Sequence, residues 1–140
     1  MSVDVATWER LAQAAIKVRE NAYAPFSNYR VGAALLTQSG HIHAGCNVEN
    51  STYGATLCAE RAAICAMVAR GERDLVAVVV ASAPPEPATP CGICRQVLAE
   101  FALDLPVVAI SVEDGKVLTR RDYALAHLLP HAFRLRSAAG

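Results

Sequence analysis

The 140-residue sequence predicts an α/β domain, a three-layer α/β/α sandwich around a mixed sheet of about five strands. Two observations carry that expectation. Residues 75–81 and 106–111 are continuous apolar runs rich in valine, as strands covered on both faces must be. Between and around the strands lie stretches with apolar residues three and four apart, so helices are interspersed with sheet along one chain.

Residues 4–22 carry Val5, Trp8, Leu11, Ala12, Ala15, Ile16 and Val18 at helical spacing, with Asp4 as N-cap. Pro25 and the pair Ser27-Asn28 break that helix and open an aromatic-rich loop, residues 23–29. Residues 31–37 and 41–46 form a hairpin around the Gln38-Ser39-Gly40 turn. His41 and His43 alternate and share one face there; two histidines so spaced can bind metal, but they are expected as exposed hairpin residues. A polar loop, residues 47–54, leads to an Ala-rich helix over residues 58–70 that stops at Gly71. After the 75–81 strand a proline-rich loop (Pro84, Pro85, Pro87, Pro90) leads to a second helix, residues 91–102. Strand 106–111, a turn at Asp114-Gly115, a short edge strand 116–119 and a helix over 121–129 complete the chain, with no internal repeat and one domain over residues 1–140.

Hydrophobic residues make up 54% of the chain and charged ones 19%, and the mean hydropathy is +0.27. That leaves less polar surface than a lone monomer needs, so an oligomer is expected. Thirteen basic residues balance thirteen acidic ones, giving no field that favours nucleic acid or an anionic membrane. Asp4, Glu9 and Arg10 interrupt the N-terminus where an export signal needs an apolar core. The longest apolar stretch is far short of the ~20 residues that span a bilayer. Five cysteines are an odd number without an export signal, which argues against a disulfide framework and for a reduced cytoplasmic setting.

The chemistry gathers at two helix starts. Leu57-Cys58-Ala59-Glu60-Arg61 opens one helix, and Thr89-Pro90-Cys91-Gly92-Ile93-Cys94-Arg95 opens the other. Helix N-termini favour thiolate, the form that binds metal. Cys91 and Cys94 are a chelating pair, and Cys58 supplies a third sulfur. Three protein ligands leave the fourth position of a tetrahedral zinc open, as in catalytic sites; a closed structural site would need another ligand, such as Cys46. Three thiolates and one divalent cation leave one net negative charge, which weakens the metal as a Lewis acid. Arg61, directly after Glu60, is placed to draw charge off the sulfurs; Gln96 is a further candidate donor, and the role of Arg95 stays open. Glu60, two residues after a ligand, is the candidate proton carrier.

On these residues the sequence resembles the zinc-dependent cytidine deaminases, whose Cys-Ala-Glu and Pro-Cys-x-x-Cys elements stand at Cys58 to Glu60 and Pro90 to Cys94. The likeness spans nearly the whole chain, from Tyr23-Ala24-Pro25 through Val31-Gly32-Ala33-Ala34-Leu35-Leu36 to Leu128-Leu129-Pro130 and Phe133. It implies one zinc per chain and hydrolytic deamination of cytidine and deoxycytidine, through zinc-bound hydroxide and a Glu60 proton shuttle, in pyrimidine salvage. It also implies that Asn47 and Glu49 bond the ribose 3′-hydroxyl and that Tyr29 packs on the nucleoside. The small members of the family are homotetramers with active sites at subunit borders, so Tyr53 and Phe133 are expected to reach a neighbour's site.

Several other readings compete. A deaminase of tRNA or of a nucleotide would suit a histidine as first ligand, and the RNA enzyme a basic face, and neither is present. A deaminase of an aminoacylated nucleoside antibiotic would share the cysteines but is expected to lack the Asn47 to Asn50 run. A thiol redox protein using Cys91 and Cys94 would leave Cys58-Ala59-Glu60 unexplained, and a zinc-stabilised interaction module with no activity is the last alternative.

Overall fold

The computed structural model of the protein describes residues 2–135 and residue 138. Five strands, β1 (Gly32–Thr37), β2 (Ile42–Cys46), β3 (Leu75–Ser82), β4 (Pro106–Glu113) and β5 (Lys116–Ala124), form one sheet in the order β2-β1-β3-β4-β5. β3 and β4 are parallel and the other pairs antiparallel, so the sheet is mixed. Helices α1 (Val5–Arg19), α2 (Ala59–Ala69), α3 (Gly92–Phe101) and the short α4 (Leu125–Leu128) cover it.

Side-chain alternation explains why the central strands read as unbroken apolar runs. Leu35, Val78, Val80 and Val107 face one core, shared with Ala63, Ile64 and Met67 of α2, Leu98 of α3 and Leu125 of α4. Leu36, Val79, Ala81, Val108 and Ile110 face the other, under Leu11, Ala15 and Ile16 of α1. The three expected layers are thus α1, the sheet, and α2 with α3. Asp4 caps α1 as expected, its carboxylate accepting from Thr7 N at 2.8 Å.

The end of the chain differs from expectation. β5 runs through Ala124, where a short strand over 116–119 and a helix from 121 were expected, and only Leu125–Leu128 is helical. Pairing with β4 continues to Pro106↔Ala124, and the backbone bonds gained along this edge outweigh the weak helical spacing of residues 121–124. Lys116, Arg120, Arg121 and Asp122 keep the open edge charged, which guards it against pairing with other chains. His41 and His43 share a face, but His43 is only 5% exposed rather than a surface residue.

Two features seat the site. A Cβ on Gly45 would lie 2.3 Å from Ala63 N, so glycine lets the α2 backbone rest directly on β2. The polar loop is fixed on both sides: Tyr23 N donates to Asn47 O and Glu49 N to Tyr23 O, while Val48 and Leu57 exchange backbone bonds at 2.9 Å. That loop therefore has one position relative to Cys58.

Candidate active site

Cys58 is the N-cap of α2, Cys91 the N-cap of α3, and Cys94 lies in the first turn of α3. Both caps are extended, so their carbonyls start the helices (Ala62 N to Cys58 O, 3.1 Å; Arg95 N to Cys91 O, 2.9 Å) and their sulfurs turn outward. The parallel β3-α3-β4 crossover and the rest of α2 on β2 bring the two helix starts together. All three sulfurs lie within 4.8 Å of one another. Cys58 Sγ and Cys91 Sγ are 3.9 Å apart. That is far too long for a disulfide. It is close to the edge, about 3.8 Å, of a tetrahedron with metal–sulfur bonds of about 2.3 Å. The donor set and its spacing fit one zinc ion per chain.

The charge pattern around the sulfurs agrees. The Cys58 thiol is drawn down to about 5 by the hydrogen bond from Cys94 and by Arg61, against the cost of burial. Cys94 is pushed up by its bond to Cys58 and by burial. Cys58 is therefore the sulfur that most readily gives up its proton and Cys94 the one that keeps it, a proton that a bound cation must displace. Arg61 Nη2 donates to Cys58 Sγ at 3.4 Å and to Thr56 O at 3.2 Å, while its buried Nε has no partner among the described residues. This places Arg61 against the thiolate. Glu60, 4% exposed, is raised to about 7 by burial first and by the Cys58 thiolate next. A carboxyl in that range exchanges protons at neutral pH.

A cleft of about 200 Å³ opens onto these groups, lined by Tyr29, Asn47, Cys58, Glu60, Val80 and Cys91 among others. Asn47 is committed to the wall: its Oδ1 accepts from Val31 N at 2.9 Å and its Nδ2 donates to Tyr29 O at 2.8 Å. Glu49 does not line the cleft; two residues beyond Asn47, it accepts from Phe26 N at 2.9 Å, Ser27 N at 3.2 Å and the Ser27 hydroxyl. Those donors, the Ser27 hydroxyl first, hold its carboxyl below the usual range.

Other expected site residues lie elsewhere. Tyr53 and Phe133 are 82% and 67% exposed and do not line the cleft. Gln96 donates to Phe133 O at 2.8 Å rather than to a sulfur. Arg95 donates to Pro90 O at 2.7 Å, Leu128 O at 2.8 Å and Thr89 Oγ1 at 3.2 Å. It clamps the Cys91 loop instead of the metal charge. The proline-rich loop matters more than the sequence implied: buried Ser82 holds it by accepting from Ala88 N at 2.9 Å, and Ala88 and Thr89 line the cleft. The signal for it was the small Ala88-Thr89 pair directly before Pro90-Cys91.

A family model described as the cytidine and deoxycytidylate deaminase zinc-binding region matches residues 6–118. The chain belongs to the cytidine and deoxycytidylate deaminase family. It is 41% identical over 125 residues to a cytidine deaminase of Halalkalibacterium halodurans, covering 89% of this chain and 92% of that one. Among solved structures, the cytidine deaminase of Burkholderia pseudomallei aligns with a TM-score of 0.82 at 42% identity, over 89% of this chain and 98% of the other. That of Mycobacterium tuberculosis gives 0.79 at 38%, over 96% and 100%. The residues matched by the family's zinc-binding region contain the three-sulfur group.

Proposed function

We propose that the protein hydrolyses cytidine and deoxycytidine to uridine and deoxyuridine with release of ammonia. The observation that carries this reading is a buried carboxyl, Glu60, beside an open three-sulfur metal site in one cleft. Cys58, Cys91 and Cys94 are the proposed zinc ligands, and zinc, when bound, supplies an acidified water near neutral pH.

The chain's own groups do the rest. Glu60 accepts the proton released as oxygen adds to C4 and delivers it to N3. It then takes the remaining proton from the hydroxyl now on C4 and delivers it to the amino nitrogen, so that the C4–N bond breaks, the C4 carbonyl forms and ammonia leaves. Its raised proton affinity suits both halves of that exchange. Arg61 draws charge from the Cys58 sulfur, keeping the metal electrophilic. Tyr29 packs on the nucleoside, in a wall braced by Asn47. Asn47, through the second proton of its Nδ2, and Glu49 are assigned to the ribose 3′-hydroxyl. An anionic Glu49 accepts from a hydroxyl and repels a phosphate, which favours a free nucleoside over a nucleotide.

The cleft is smaller than the roughly 300–1,000 Å³ usual for small-molecule sites, which fits a wall completed by another chain. A homotetramer with sites at subunit borders supplies one. Tyr53 and Phe133, exposed in the single chain, then reach a neighbour's cleft, Phe133 stacking on the base. A free-nucleoside substrate fits pyrimidine salvage in the cytoplasm.

The test is direct. Zinc-loaded protein is mixed with cytidine, deoxycytidine and cytidine monophosphate, and ultraviolet absorbance is followed. Loss of absorbance with both nucleosides and little with the nucleotide is expected; turnover of neither nucleoside overturns the proposal.

A further inference from the structure

On the hairpin edge of the sheet, away from the cysteines, His41, His43 and Glu72 converge at a cleft of about 310 Å³ that Ile42 and Arg70 also line. His43 Nε2 lies 2.6 Å and His41 Nδ1 3.1 Å from the same oxygen, Glu72 Oε1. The carboxylate is held in turn by Thr37 Oγ1, at 3.2 Å and 3.1 Å from its two oxygens, and by the Ser39 hydroxyl. His43 is buried and its ring is fixed, whereas the His41 side chain is 72% exposed. Nothing in the deamination chemistry uses these groups.

We propose that His41 Nδ1, His43 Nε2 and the Glu72 carboxylate form a second site, for a divalent transition-metal ion of the zinc class. Two imidazoles and one carboxylate are a donor set that such ions take readily, while harder ions prefer oxygen alone. A strand places residues two apart on one face, so both rings reach the same side. Hydroxyl donors already orient the carboxylate, as metal-bound carboxylates usually require. On binding, each ring coordinates through the nitrogen now facing Glu72, and its proton resides on the other ring nitrogen or passes to solvent.

Among the described residues, only the three cysteines have donor atoms all within 4.8 Å of one another. The two imidazole nitrogens therefore stand further apart than in a filled site, and the exposed His41 ring must swing inward to close it. Arg70, in the same cleft, disfavours a cation. The second site therefore binds more weakly than the cysteine site and empties first. Once filled, it ties the β1–β2 hairpin to the segment just after α2, the helix that carries Glu60.

The test uses the protein with its cysteine site already loaded with zinc. After dialysis against buffered free zinc, the wild type is expected to hold two equivalents per chain and His41→Ala one. Proton NMR gives an independent reading. Zinc beyond the first equivalent shifts the ring signals of His41 and His43 and leaves those of His127 and His131 in place. Because His41 is exposed, its substitution leaves the fold intact. His43→Gln, which keeps a buried hydrogen-bonding side chain, is expected to lose the second equivalent too. A single equivalent in the wild type, a second equivalent that persists in His41→Ala, or shifts at His127 or His131 instead overturns the proposal.

Discussion

Gly45→Ala tests whether the site is seated by direct contact between β2 and α2. The added methyl would sit 2.3 Å from Ala63 N and 2.7 Å from the Ala62 carbonyl carbon, about 1 Å short of the 3.4 Å at which ordinary contact begins. Both are backbone atoms, so no side chain can turn aside and the helix itself must move. Overpacking of this kind costs about 1–3 kcal/mol, and at roughly 3–5 °C per kcal/mol for a chain between the usual size classes this lowers Tm by about 3–15 °C. The functional effect is expected to exceed the stability effect. α2 carries Cys58 at its cap and Glu60 in its first turn, and a shift of about 1 Å at reacting groups costs on the order of 100-fold. Thermal unfolding of the zinc-loaded variant, with kcat/KM for cytidine measured well below its Tm, reads both. A variant with wild-type Tm and wild-type kcat/KM would refute the claim that this contact fixes the site.

Arg61→Ala removes the donor to Cys58; zinc content is expected to persist by metal analysis while kcat/KM falls about 10- to 100-fold. Arg95→Lys loses the fork that joins Pro90, Thr89 and Leu128 and leaves part-buried acceptors unpaired, at about 1 kcal/mol each. It is expected to speed zinc loss to a chelator and lower Tm. Glu72 is held down to about 2 by the Ser39 hydroxyl first, and by His43, His41 and Thr37. Its folded value lies below the unfolded one, so its contribution is full above pH 4.5 and is lost as pH falls from there toward about 2. Urea midpoints of wild type and Glu72→Gln should therefore differ most at neutral pH and converge in acid; a constant difference would contradict this.

The central layers were legible because burial on both faces leaves an unambiguous mark. Val78, Val79 and Val80 alternate between two cores, and only an unbroken apolar run supplies both. The metal group was legible because thiols at helix starts are rare and spaced by the chelate. The edge was not. The alternation of residues 116–124 is overlaid with charges that protect an open strand, which mimics a solvated helix face. Gln96 was misplaced, and Arg95 left open, for a related reason. Spacing puts both near Cys94, but only the path of the C-terminal segment decides that their donors meet Phe133 and Leu128 carbonyls. The hidden half of the histidine pair was also illegible: alternation put His41 and His43 on one face, yet Glu72, from after α2, is what covers His43.

Glu60→Gln offers the most direct measurement. The amide keeps the size of the side chain and removes its proton exchange, and zinc content and cytidine turnover are measured on the same preparation. One zinc per chain at the cysteine site, with kcat lower by at least the roughly 100- to 10,000-fold of lost general acid–base catalysis, is the expected result. A variant that retains zinc and turns over cytidine at the wild-type rate would contradict the assignment of Glu60 as proton carrier.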